Sequence, residues 1–340
     1  MTALSGTIAR RSGAAQRAAT TPAIISRRSV QIVLGVLWLL DGILQLQPKM
    51  LGTSFATQII EPSAAGQPGL VAWPINEMAR LVLSAPAATD LVFAAVQIVI
   101  GLGLLRRQTV RPALMLSFAW AGGVWLFGEG LGMVLTGNAS PLTGAPGAVL
   151  LYALIGLIVW PAKDSGHSGA ATESVRNHLA KLAWTTLWLG EAVLWLLPGN
   201  SAAGSVSSQL QMAAASSPAF VQHIQTSVGS ALQGDGAYVA AVLAVVSVVV
   251  GIGPLVTRRR SQFLILGAAL SLDFWVLGQS MGGLTTGIAT DVNAGPLFVL
   301  LALAVLSTGT VDGNGQVRSR LSDDGLRPAP LRLHDGRSAA

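Results

Sequence analysis

Long uncharged apolar runs, separated by short stretches that carry nearly all the charge, dominate the chain. A helix rises about 1.5 Å per residue, so roughly 20 apolar residues cross a hydrocarbon core about 30 Å thick. Eight segments approach that length: 30–47, 88–105, 112–133, 146–160, 182–197, 237–256, 262–280 and 294–309. The fold class this predicts is an all-α integral membrane protein with eight transmembrane helices. The connections 48–87 and 198–236 contain stretches such as "LVAWPINEMARLVL", with apolar residues at helical spacing. They predict short helices that lie on the outer surface or cap the bundle.

Shifting the chain by 150 residues lays it on itself without a gap. Trp38 meets Trp188, Pro48 meets Pro198, and Gly101 and Gly103 meet Gly251 and Gly253. "WLFGEGLGMVLTG" at 125–137 meets "WVLGQSMGGLTTG" at 275–287. Aligned Trp, Pro and Gly in loops are not expected from two merely oily segments. The shift therefore predicts two four-helix repeats, 30–161 and 182–309. They would face the same way, because four is even, about a pseudo-two-fold axis along the membrane normal. A basic segment (1–29), a linker (162–181) and a disordered tail (310–340) complete the division.

Composition agrees: 51% of residues are apolar and 11% charged, against roughly 25% charged in soluble domains. The net charge of +6 does not point to nucleic acid, because the basic residues sit between apolar runs. With the N-terminus inside, 19 of the 21 Lys and Arg fall in cytoplasmic pieces. These are Arg10, Arg11, Arg17, Arg27, Arg28, Arg106, Arg107, Arg111, Lys163, Arg176, Lys181, Arg258 to Arg260 and the five tail arginines; Lys49 and Arg80 fall outside. The positive-inside rule then predicts a bacterial plasma-membrane protein with both termini cytoplasmic and the first span retained, not cleaved. The absence of cysteine excludes disulfides, thiol nucleophiles and Cys-ligated metal centres within the chain.

Several acids fall inside these runs. Counted from the cytoplasmic ends, Asp41, its mate Glu191 and Asp273 come to roughly 16 Å depth, and Glu129 to roughly 26 Å. Asp90 reads as a helix N-cap beside Thr89. No Lys or Arg lies in a span to pair with the mid-depth acids, so they are expected to be neutral and to face the bundle interior. Gln97 is a candidate partner for Asp41, and Gln279 aligns with Glu129. Two readings compete: proton, cation or polar-ligand sites, or neutral glue between helices. Trp38, Trp188, Trp125 and Trp275 are candidates for an aromatic-lined pocket or for plain packing. Met133 and Met281 offer a weak Cu(I) possibility. No catalytic constellation is visible, and the four histidines lie outside the spans, which excludes a bis-His haem. No cofactor is expected, although an interior lipid or quinone would fit.

At "LWLLDGILQLQP", "WLFGEGLGMVLTGNASPLTGAPGAVLLYAL" and their copies, the chain resembles a group of uncharacterised actinobacterial membrane proteins with tandem four-helix repeats. A unit opening on a Trp/Leu-rich span with an acid–Gly pair is also similar to DoxX/DoxD-like membrane proteins. That second resemblance implies a link to quinone or thiol redox systems, and the lack of cysteine disfavours the thiol role. The expected function is a non-catalytic accessory or scaffold subunit, with membrane lipids and other membrane subunits as partners. The alternatives are a proton- or cation-coupled transporter and a partner-dependent oxidoreductase subunit.

Overall fold

The computed structural model describes residues 25–161, 168–257 and 259–308. Residues 1–24, 162–167 (with Lys163 and His167), Arg258 and the tail from 309 lie outside the described residues. In chain order the principal helices are α1 (Arg27–Gln45), α2 (Gly69–Ser84), α3 (Pro86–Leu105), α4 (Val110–Phe127), α5 (Ala148–Ile158) and α6 (Ser168–Trp195). They are followed by α7 (Ser205–Ala214), α8 (Ala219–Ala231), α9 (Gly236–Val256), α10 (Arg260–Leu277) and α11 (Ala294–Leu306). No strand occurs among the described residues.

Five helices are long and apolar enough to cross a membrane: α1, α3, α4 with its preceding turn, α9 and α10. The fourth and eighth expected spans are α5 and α11, of 11 and 13 residues, about 17 and 20 Å long. The fifth lies within α6, which is 28 residues long but carries Glu173, Arg176, Lys181 and Glu191. The third and seventh end at Phe127 and Leu277, short of 133 and 280, because the backbone then turns left-handed through Gly130–Met133 and Ser280–Gly283. Gly132 shows why: at φ +64° a Cβ there would lie 2.1 Å from the Pro146 carbonyl oxygen.

The two short helices run through the middle of the molecule. Neither carries a charge, and Leu151, Ile155, Leu297, Leu301 and Val305 are wholly buried, as expected of helices apolar on every side. They pack on each other, on α4 and α10, and on α1 and α6. The flanks pair α1 with α3 and α6 with α9. At the first flank Gly35 and Gly101 oppose each other, and a Cβ on Gly101 would sit 2.8 Å from the Gly35 carbonyl oxygen. At the second the Thr185 hydroxyl donates to the Gly251 carbonyl at 2.7 Å. The long helices also expose apolar faces, among them Val92, Val99, Val245 and Ile265. Such faces are stable in hydrocarbon and costly in water.

Basic residues gather at one end of the bundle and serve helix termini there. Arg28 donates to the carbonyls of Leu104 (2.8 Å) and Leu105, closing the C-terminus of α3. Arg260 donates to Thr308 O at 3.0 Å, just past the end of α11. These are favourable places for cations, since the last carbonyls of a helix have no partner within it. Glu173 pairs with both Arg27 and Arg176. At the opposite end, α2 buries Ile75, Ala79 and Val82 against Met50, Phe55 and Ile60. It exposes Leu70 and Trp73. The expected surface helix is present and forms a lid on the bundle.

Candidate functional site

Beneath α2 the first half encloses a cavity of about 250 Å³. Trp38, Asp41 and Gln45 line it from α1, where spacings of three and four residues put them on one face. Phe93 and Gln97 come from α3, and Trp120, Gly123, Val124 and Phe127 from α4. Tyr152 and Val149 come from α5, and Glu129 from the turn after α4. Thr290 and Asp291 arrive from the far half of the chain, in the segment leading into α11.

The wall holds an unusual number of unpaired polar atoms. Trp38 Nε1, Asp41 Oδ1, Gln45 Oε1, Gln97 Oε1, Trp120 Nε1, Glu129 Oε2 and the Tyr152 hydroxyl are buried with no hydrogen-bond partner. Buried polar groups are nearly always paired, and leaving one unmatched costs about 1–3 kcal/mol. Seven of the 17 such atoms among the described residues border this one space. The Tyr152 hydroxyl faces the Asp41 carboxyl without reaching hydrogen-bond geometry, and its ring packs on Trp38 with centroids 4.5 Å apart.

Glu129 does two things. Its Oε1 accepts from the Val149 backbone N–H at 3.0 Å, satisfying a donor at the N-terminus of α5, while Oε2 lies beside Gly147 without a hydrogen-bond partner. Gln279 performs the first task alone, accepting from Gly295 N–H at 3.1 Å at the start of α11. Burial, with the nearby Asp291 charge second, raises the Glu129 carboxyl to about 8. Asp291 is raised by burial too, although it accepts from Asn293 N–H at 2.5 Å and Thr290 Oγ1 at 2.9 Å.

A second, more polar cleft of about 500 Å³ adjoins the first. The two share Ile59, Gly128, Glu129, Thr290 and Asp291. Gln279 and Met133 line only the second.

The acids singled out in the sequence are thus separated by the fold. Asp41, Gln97 and Glu129 meet at one cavity, but no hydrogen bond joins Gln97 to Asp41 among the described residues. Glu191 is buried on α6 and lines neither space. Asp273 is exposed; the buried face of α10 runs through Gly267, Ser271 and Phe274, and position 273 falls about 200° from 271 around the helix. The expectation that it faces inward is corrected. Asp41 and Glu191 each lie four residues before the end of their helices. Asp90 is no N-cap: Ala85 holds that position, and Asp90 is buried inside α3 with both oxygens unpaired.

Of the four matched tryptophans only Trp38 reaches the cavity. Trp188 packs between Trp184 and Phe298. Trp125 and Trp275 pin the turns, their indole N–H groups donating to Pro146 O at 2.9 Å and Val292 O at 2.8 Å. Met133 and Met281 both take left-handed backbone in those turns and do not share a cavity. Among the described residues no three His, Cys, Asp or Glu come close enough to hold one metal ion.

The sequence reading missed Gln45, Trp120, Tyr152 and Asp291. Gln45 carried a signal, standing four residues after Asp41 on the same helix face. Asp291 carried none, since only tertiary folding brings it to the first half. No protein-family model, curated protein or solved structure matches this chain.

Proposed function

We propose that the protein is a multi-pass membrane protein that binds a small, largely apolar molecule in the cavity of its first half. The single observation that carries this reading is the ring of seven unpaired buried polar atoms around an aromatic-walled space. Its volume is near the lower end of known ligand pockets, roughly 300–1,000 Å³.

The frame proposed is eight membrane-inserted helices in two same-facing units derived by duplication. Helices α4 and α10 begin and end at positions 150 apart, which supports it. So do the paired bonds of Glu129 and Gln279, and those of Trp125 and Trp275. The two short helices reach less than the full core because buried turns, which are tolerated in hydrocarbon only inside protein, complete their length. The basic end faces the cytoplasm of a bacterium in this reading. The protein works by holding its ligand, alone or as a subunit of a larger membrane assembly.

Gly123 supplies the test, because it lines the cavity and a Cβ there meets nothing within 4 Å. Gly123→Phe fills the space while improving helix propensity. Native mass spectrometry of protein from its own membranes should show a small-molecule mass on the wild type that vanishes in the variant. A wild type carrying none, or a variant that keeps it, overturns the pocket reading. A transport role is favoured by one observation, the second cleft that meets the cavity at Glu129 and Asp291. Proton or cation flux in proteoliposomes that survives Asp41→Asn with Glu129→Gln would end that role.

A further inference from the structure

The geometry points to an organic cation as the occupant of the first-half cavity: a compact amine carrying one aromatic or branched apolar group. This rests on the pocket reading above and names the ligand class it takes. Three carboxyls, Asp41, Glu129 and Asp291, reach the space from α1, from the turn after α4 and from the segment before α11. No Lys, Arg or His lines it or the adjoining cleft. Four unpaired acceptors stand on the wall, Asp41 Oδ1, Gln45 Oε1, Gln97 Oε1 and Glu129 Oε2, beside three unpaired donors, Trp38 Nε1, Trp120 Nε1 and the Tyr152 hydroxyl. Unpaired acceptors are matched by a ligand that donates, and three carboxyls with no facing cation by one that is positive.

The positive group is diffuse, not a bare ion. The acids are too dispersed for any three to bind one metal. Trp38, Trp120 and Tyr152 line the same space, and aromatic rings of this kind attract an alkylammonium by cation–π contact. Size sets the rest of the molecule. A cavity of roughly 150 Å³ holds a benzene ring, so about 250 Å³ holds one ring and a short aminoalkyl arm.

Tryptophan fluorescence titration of the full-length protein in nanodiscs, with three probes of similar size, tests this. Phenethylammonium should bind saturably and at least tenfold more tightly than 2-phenylethanol, its uncharged counterpart, and than menadione. Asp41→Asn should weaken phenethylammonium tenfold or more while moving 2-phenylethanol less than twofold. Glu191→Gln, outside the cavity, should change neither. If Asp41→Asn does not fold, the amine-to-alcohol ratio on the wild type decides. An alcohol or quinone binding as tightly as the amine, and lost in Gly123→Phe, overturns the cation and leaves the pocket standing. Binding of no probe, or binding indifferent to Gly123→Phe, overturns both.

Discussion

Beneath α2 in the first half, Gln45, Val124 and Tyr152 border an open space; 150 positions later stand Trp195, Phe274 and Ala302. There the rings of Trp195 and Phe274 pack with centroids 5.6 Å apart and join Leu142, Val206 and Leu210 in a closed apolar cluster. The surrounding frame hardly differs. Gly132 N–H donates to Glu129 O at 2.9 Å, and Gly282 N–H to Gln279 O at 2.8 Å. The turns even reach across in both directions: Gln47 donates to Ala289 O at 3.1 Å and Asn200 to Ala139 O at 2.7 Å. Larger side chains at two of these matched positions therefore help to turn a cavity into a core. The acids follow the same logic. Asp41 has a space to face, whereas Glu191 is buried beside packed tryptophans with Oε1 unpaired.

The comparison can be broken by emptying the filled side. Trp195→Gln with Phe274→Val should open the second half and lower stability by several kcal/mol, since deleting one large buried aromatic costs about 3–5 kcal/mol. Chemical unfolding in detergent reads the loss, and an unchanged midpoint would show that the cluster is not a structural core. The converse change, Gln45→Trp with Val124→Phe, should close the first cavity. It should abolish small-molecule retention with at most a modest stability change of about 1–2 kcal/mol from imperfect packing.

The smallest expected effect sharpens the comparison at Glu129 and Gln279. The folded Glu129 carboxyl titrates near 8, above its ordinary value near 4.5, so the unfolded chain releases that proton first. Stability should therefore fall as pH rises from about 4.5 to about 8. Glu129→Gln, which copies the neutral group already serving α11, should keep the bond to Val149 and flatten that slope. Unfolding midpoints between pH 4 and 8 check it, and parallel slopes in variant and wild type would refute it.

Much of the helical frame is legible along the chain. The starts of α3, α9 and α11 lie within two residues of the apolar runs that announce them, because an uncharged run must leave water wherever it packs. The ends of α4 and α10 were misplaced, since apolar Leu131, Met133 and Met281 continue the run while their backbone has already turned. Glu129 looked like an acid near a membrane surface, and its bond to the start of α5 depends on a chain reversal that no periodicity encodes.

What the sequence by itself determined is local and additive: which stretches are apolar enough to be helical and buried, where the cations fall between them, and which positions correspond at a spacing of 150. What only the tertiary structure decided is which of those positions share a space. Asp41, Gln97, Glu129 and Asp291 are spread over 250 residues of chain and converge on one cavity, while Asp273 turns outward. Side-chain direction around a helix and the fit of volumes across helices are properties of packing, and packing is settled only when every neighbour is in place.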